Sequence, residues 1–302
     1  MGKRALKSAV ARVKECFPQI GVQAATERLS YGSFVSLQHK ILYIENPKVA
    51  CSSVKHFLRE LVGASPVQFE IGSHRETRLD MFVHARSNVP LPSLVALDEE
   101  IQERVLTDPL FLRFSIVRNP YGRLISAWRN KVLMCEPGHE FVHDKAPTFQ
   151  QFVEFLETED LGVANPHWRR QTDLLLHGAI PYTHVGRAES IKDTEAILSA
   201  HLGRTVSFRR DNSGLPIGDA SLTDDIAARI GSLYSEDFSV YGYTLESWRQ
   251  LSLPVRPLNA DQVLDEIVER NRIISRLYDE CAALKWHADH PWKALIKRWI
   301  GR

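Results

Sequence analysis

The segment from Phe111 to Lys131, FLRFSIVRNPYGRLISAWRNK, constrains the fold more than any other, because an apolar run ends in an arginine and turns directly into a helix. Phe111, Leu112, Phe114, Ile116 and Val117 have the apolar density of a strand buried on both faces, as in a parallel sheet. Asn119 is placed to cap the helix and Pro120 to open it, where a missing N–H costs nothing. Along the helix Tyr121, Leu124, Ile125, Trp128 and Val132 form an apolar stripe, while Gly122, Ser126 and Arg129 fall on another face. Ser126 is therefore expected to turn from the core toward whatever Arg118 holds. A helix N-terminus with a fixed guanidinium and a hydroxyl suits a phosphate, since the dipole and free N–H groups favour negative charge and arginine binds oxygens bidentately. The competing reading is a buried arginine, ion-paired within an α/β fold.

A second segment of the same design lies earlier, at residues 40 to 61. Ile41 to Ile44 read as a short strand that Asn46-Pro47 ends. Ser52 or Ser53 can cap a helix whose buried stripe is Val54, Phe57, Leu58 and Leu61. Between strand and helix, Lys48-Val49-Ala50-Cys51-Ser52-Ser53 offers one cation, small side chains that let a ligand approach the backbone, and two hydroxyls. This is a phosphate loop by its physics, yet the Walker pattern G-x-x-x-x-G-K-[ST] fails, so the magnesium of nucleoside triphosphate chemistry is not expected. Cys51 invites comparison with a phosphatase nucleophile, but no arginine follows within the loop, and it reads as a small loop residue.

Two such sites, about seventy residues apart, suit one ligand with two separated phosphates. Together they resemble the carbohydrate sulfotransferases of the Golgi type and their bacterial relatives, which use 3′-phosphoadenosine 5′-phosphosulfate (PAPS). Residues Asn46 to Ser53 look like that family's 5′-phosphosulfate loop, and Val117 to Lys131 like its 3′-phosphate motif. Weaker likeness runs through Asn165-Pro166-His167-Trp168 and Tyr182 to Glu189 to Asp237 to Tyr243, so it covers roughly residues 38 to 245 in order. The 5′ loop departs from many relatives in carrying Cys51-Ser52-Ser53, and a membrane anchor like that of Golgi members is not expected.

The resemblance implies a P-loop nucleotide-kinase-like α/β fold, a parallel sheet flanked by helices, with PAPS as co-substrate and no metal. Lys48 would meet the bridging oxygen and 5′-phosphate, with Ala50, Cys51, Ser52, Ser53 and the helix-start amides completing the cradle. Arg118 and Ser126 would hold the 3′-phosphate. Arg209, Arg210, Asn212 and Ser213 form a basic, polar loop like those that close over the nucleotide in this family; a solvated surface is the plainer reading. For the base that takes the acceptor's proton, His84 is the first choice, at the end of the apolar run Leu79 to Val83, with His74, Glu45 and His167 as substitutes. Trp168, beside His167, could stack on a sugar ring, although a lone tryptophan usually belongs to the core.

A different class is raised by His139-Glu140-Phe141-Val142-His143, which fits the zinc-hydrolase pattern H-E-x-x-H. Its setting between Pro137-Gly138 and Pro147 leaves room for one helical turn, so an insertion loop is the plainer reading. A nucleotide-binding protein without catalysis is the third class.

At 302 residues and 44% hydrophobic content the chain can bury one large α/β core with an appendage. A net charge of +1 argues against a nucleic-acid partner. Cys16, Cys51, Cys135 and Cys281 have no metal or redox spacing, as in a reducing compartment, and the basic start lacks a hydrophobic signal core, so a cytoplasmic location is expected. Residues 1–37 read as a helical and irregular lead-in, 38–252 as the catalytic domain and 258–302 as a helical extension. Within that extension Val263 to Leu284 follow a three-four spacing suited to docking on the core or to a homodimer. Trp292, Leu295, Ile296 and Trp299, with cations beside them, give a face suited to peripheral contact with an anionic membrane, where a glycolipid-linked acceptor would be carried.

Overall fold

The computed structural model describes residues 8–64, 86–133, 147–209, 220–251 and 285. Helices α1 (Ala9–Cys16) and α2 (Val22–Gly32) lead into strands β1 (Ser33–Ser36) and β2 (Ile41–Ile44), followed by α3 (Cys51–Leu61). Next come α4 (Glu99–Thr107), β3 (Leu112–Val117) and α5 (Pro120–Ala127), which runs into a π-helical stretch, Trp128–Leu133. The chain continues through α6 (Phe149–Leu156), α7 (Gln171–Leu174), β4 (His184–Arg187), α8 (Ile191–Leu202), α9 (Asp224–Leu233) and α10 (Ser235–Tyr241).

Four strands form one sheet in the order β1-β2-β3-β4. β2, β3 and β4 are parallel, whereas β1 is antiparallel to β2 with Phe34 opposite Tyr43. The expected parallel sheet thus forms from β2, β3 and β4 and carries an antiparallel edge strand that makes it mixed. Only four residues, Leu37 to Lys40, join β1 to β2, and so short a link permits a hairpin but not a crossover. Lys40 takes the left-handed backbone, φ 50°, that closes it. β1 lies within what the sequence reads as irregular lead-in. Its two serines are buried because each is bonded: Ser33 Oγ donates to Leu29 O, and Ser36 Oγ lies 2.9 Å from His39 Nδ1.

The outer edge of β1 is covered. Val35 N–H donates to Pro92 O at 3.0 Å, and Leu94 N–H to Ser33 Oγ at 2.8 Å. Arg86 donates to the carbonyls of Ser30, Ser33, Val89 and Leu91, with its guanidinium 4.3 Å from the centre of the Phe34 ring.

Alternation along β2 sends Ile41 and Tyr43 to one face of the sheet and Leu42 and Ile44 to the other, and each face is covered. On the first, Phe34, Tyr43 and Phe114 pack with Val54 and Leu58 of α3 and Leu198 of α8. On the second, Val35, Leu42 and Val117 pack with Val13 of α1, Leu29 of α2 and Val105 of α4. The α3 stripe expected from three-four spacing is buried at all four positions, Val54, Phe57, Leu58 and Leu61.

Residues 1–124, 159–213 and 227–250 make up one compact unit, which holds the sheet; 125–158, 214–226 and 251–302 make up a second. Within the second, Trp128 Nε1 donates to Pro147 O at 2.9 Å and its ring meets that of Phe149 edge-on. α6 begins in a capping box, Thr148 Oγ1 accepting from Gln151 N while the Gln151 side chain accepts from Thr148 N. The expected strand at Leu79 to Val83 and the C-terminal helices lie outside the described residues, Lys285 excepted.

Candidate functional site

The loop from β2 to α3 owes its shape to two left-handed residues, Lys48 at φ 71° and Ala50 at φ 63°, on either side of Val49. Alternation of this kind turns successive amide N–H groups toward one concave side, an arrangement that binds anions. Ala50 is the N-cap of α3 and uses no side-chain bond; its carbonyl accepts Val54 N–H at 3.1 Å. Ser52 and Ser53, expected to cap, instead lie inside the first turn, because the left-handed turn at Ala50 has already set the helix start. A left-handed non-glycine residue costs about 1–2 kcal/mol, part of which glycine returns through a freer unfolded chain. Ala50→Gly should therefore raise stability by roughly 0.5–1 kcal/mol, read as a higher melting temperature.

Cys51 is buried, and burial, with Glu45 beside it, pushes its thiol above the ordinary value although Lys55 and Lys48 pull the other way. A thiol held neutral at pH 7 is a poor nucleophile. Iodoacetamide on the native protein should label the exposed Cys16 and spare Cys51, as peptide mass spectrometry would show.

Glu45 ends β2 with its Oε1 2.7 Å from Lys55 Nζ, the two side chains being 4% and 1% exposed. Its carbonyl accepts from Arg28 Nη2 at 2.8 Å. Of the substitute bases Glu45 is therefore corrected: it serves a buried ion pair and presents no surface to an acceptor.

The β3 to α5 junction forms as expected. Asn119 Oδ1 accepts Tyr121 N–H at 3.1 Å, Asn119 O accepts Arg123 N–H at 2.9 Å, and Pro120 is the first helical residue. Arg118 Nη1 donates to Lys48 O at 3.3 Å, so the two segments singled out from the sequence meet. Arg123, which sequence reading misses, donates from Nε to Pro47 O at 3.1 Å and from its other nitrogens to Arg169 O and Pro166 O. Two arginines of one motif thus hold consecutive carbonyls of the other. Burial lowers the Arg118 guanidinium below its ordinary value, with Glu189 and Tyr243 acting against it. Glu189 accepts Asn119 N–H at 2.8 Å through Oε1 and the Tyr243 hydroxyl at 2.9 Å through Oε2.

The remaining expected residues are less closely gathered. Ser126 is half-buried in the last turn of α5 and belongs to the second unit. Arg209 is exposed, 4.0 Å from Glu60 Oε1, an ion pair worth little in water. His167 is half-buried, its Nδ1 2.8 Å from Asn165 Oδ1. Trp168 is corrected: at 0% exposure its indole has no face open to a sugar, and it belongs to the core. His84 and His74, the loop residues Arg210, Asn212 and Ser213, and the His139-Glu140-His143 motif lie outside the described residues. Among the described residues no group of three or more His, Cys, Asp or Glu side chains is placed to hold a metal ion, and no helix is long and apolar enough to cross a membrane.

The sulfotransferase family matches residues 31–244, which include both anion segments. Carbohydrate sulfotransferase 14 of Danio rerio is 28% identical over 239 residues, 70% of this chain and 62% of that protein. Carbohydrate sulfotransferase 10 of Pongo abelii is 27% identical over 248 residues, 70% of this chain and 66% of that protein. A shorter match, 32% identical over 174 residues, is to carbohydrate sulfotransferase 14 of Mus musculus, covering 52% of this chain and 43% of that one. The chain thus spans slightly less than two thirds of the length of the Danio rerio and Pongo abelii relatives. No solved structure matches. With a family match over more than half its length, falling on the sheet and on both loops at the ends of its strands, the chain belongs to the sulfotransferase family.

Proposed function

We propose that the chain transfers the sulfuryl group of PAPS to a hydroxyl of a carbohydrate acceptor, free or carried on a lipid. The observation that supports this reading is the hydrogen bond from Arg118 to Lys48 O, between two loops that follow neighbouring parallel strands and that the sequence reads as phosphate segments. Ligands of open α/β sheets gather at such strand ends. The names of the relatives, all carbohydrate sulfotransferases, support the choice of acceptor class.

In the proposed reaction the acceptor oxygen attacks sulfur, the bond from sulfur to the 5′-phosphate oxygen breaks, and adenosine 3′,5′-bisphosphate leaves with that electron pair. Lys48 and the amides from Ala50 to Ser53 offset the charge that grows on the departing phosphate, an effect that acts mainly in the transition state. Arg118 binds the 3′-phosphate, the group that separates this donor from other adenine nucleotides. Arg209, Arg210, Asn212 and Ser213 cover the nucleotide. His84 receives the proton of the acceptor hydroxyl, and His167 contacts the acceptor.

Calorimetric titration of the metal-free protein tests the donor assignment. Micromolar binding of adenosine 3′,5′-bisphosphate, at least tenfold tighter than AMP or ATP, is the expected outcome. Absence of binding, together with stoichiometric zinc in the purified protein, would replace this reading by hydrolysis at His139, Glu140 and His143.

A further inference from the structure

Gln171, the first residue of α7, is fully buried, and its side-chain amide uses all four of its hydrogen-bonding positions. Oε1 accepts Arg118 N–H and Asn46 Nδ2–H, each at 2.9 Å. Nε2 donates to Arg118 O at 2.8 Å and to Asp237 Oδ2 at 3.5 Å. Asn46 also donates to Ile116 O at 3.0 Å. One continuous path of bonds therefore joins the start of the first anion loop to the backbone of Arg118. Asp237 fixes Gln171 from behind, accepting its backbone N–H at 2.8 Å and that of Thr172 at 2.9 Å.

Gln171 binds both the N–H and the C=O of Arg118, as the backbone of a neighbouring strand would. It does so where β2, which runs beside β3, has ended at Ile44 and the chain has turned into its loop. Filling the core alone would not call for a side chain with four polar bonds, since an apolar residue with apolar neighbours fills the same volume without polar groups to satisfy. The bonds go specifically to the two segments whose separation decides whether one ligand can touch both.

We propose that Gln171 is a positioning residue, which holds the Asn46-Pro47-Lys48 turn and Arg118 at the spacing of a single ligand with two phosphates. The inference rests on the two-phosphate donor described above and adds to it the residue that makes the second phosphate count. A ligand with one phosphate needs one loop in place, whereas a ligand with two gains its extra affinity only if the loops are already at the right separation.

The test is calorimetric titration of the wild type, Gln171→Met and Asn46→Ser with adenosine 3′,5′-bisphosphate and with AMP, each protein first shown to be folded by circular dichroism. Methionine keeps length and volume and removes all four side-chain bonds; serine at position 46 cuts the arm to the first loop together with the bond to Ile116 O, leaves the Gln171 bonds to Arg118 in place, and serves if Gln171→Met fails to fold. Bisphosphate affinity should fall by about 30-fold in Gln171→Met, the scale of an ångström-level misplacement, while AMP affinity changes less than about 3-fold. Asn46→Ser should show the same selective loss in smaller measure. A wild type that prefers the bisphosphate, with variants that lose both ligands equally or neither, would overturn the inference and leave the donor reading standing. A wild type with no preference for the bisphosphate would overturn both.

Discussion

Lys48→Met should lower the turnover number of sulfuryl transfer by about 1,000-fold while the affinity for adenosine 3′,5′-bisphosphate falls only a few-fold. Removing one preorganised donor at a site of developing charge costs on the order of 100- to 1,000-fold, and a full cation falls at the upper end. In the proposed mechanism its effect falls mainly on the step in which charge grows on the 5′-phosphate oxygen, so kcat should carry most of the loss and the nucleotide's dissociation constant little of it. The backbone of Lys48 is held apart from its side chain, by the Arg118 bond to its carbonyl and the Arg123 bond to the carbonyl of Pro47. The loop should therefore keep its shape in the variant. Single-turnover rates beside calorimetric affinities measure the division, and equal losses in both would contradict it.

The second large effect concerns Arg118. Arg118→Ala should weaken adenosine 3′,5′-bisphosphate by about 100-fold and abolish its advantage over AMP, since a desolvated arginine–phosphate contact contributes roughly 2–3 kcal/mol. Sequence reading alone assigns Arg118 to binding and Lys48 to turnover. The hydrogen bond between them modifies that division, because losing Arg118 also frees one carbonyl of the first loop. A secondary fall in kcat, about tenfold, is expected for Arg118→Ala with no counterpart in the AMP affinity of Lys48→Met. Arg118→Lys should restore little, as a point charge on a flexible stem cannot serve a phosphate and a carbonyl together.

What the sequence made legible was local. The α3 stripe from Val54 to Leu61 follows from spacing, and the start of α5 from the preferences of asparagine and proline over two residues. β1 escaped because four residues, SFVS, carry only two apolar side chains, and its place depends on pairing with β2 across a hairpin. Gln171 and Arg123 escaped for a different reason. A buried glutamine and a helix arginine are unremarkable in sequence, and their partners lie far along the chain, Asn46 for one and Pro47 for the other. The same holds for Glu45, a plausible base until Lys55 is found 2.7 Å away on the next helix. Trp168 shows the opposite error, since its neighbour His167 suggested a sugar platform where the chain had placed a core residue.

The covered edge of β1 bears on how the protein can be shortened. Beginning the chain at residue 38 would remove β1 and leave Ile41 to Ile44 with a bare row of backbone donors and acceptors, flanked by residues that are now buried. Such an edge recruits the nearest extended segment of another molecule. Shortened proteins starting there should clump or exchange strands, whereas those that retain Val22 onward keep the helix and hairpin that shield the sheet from its own copies.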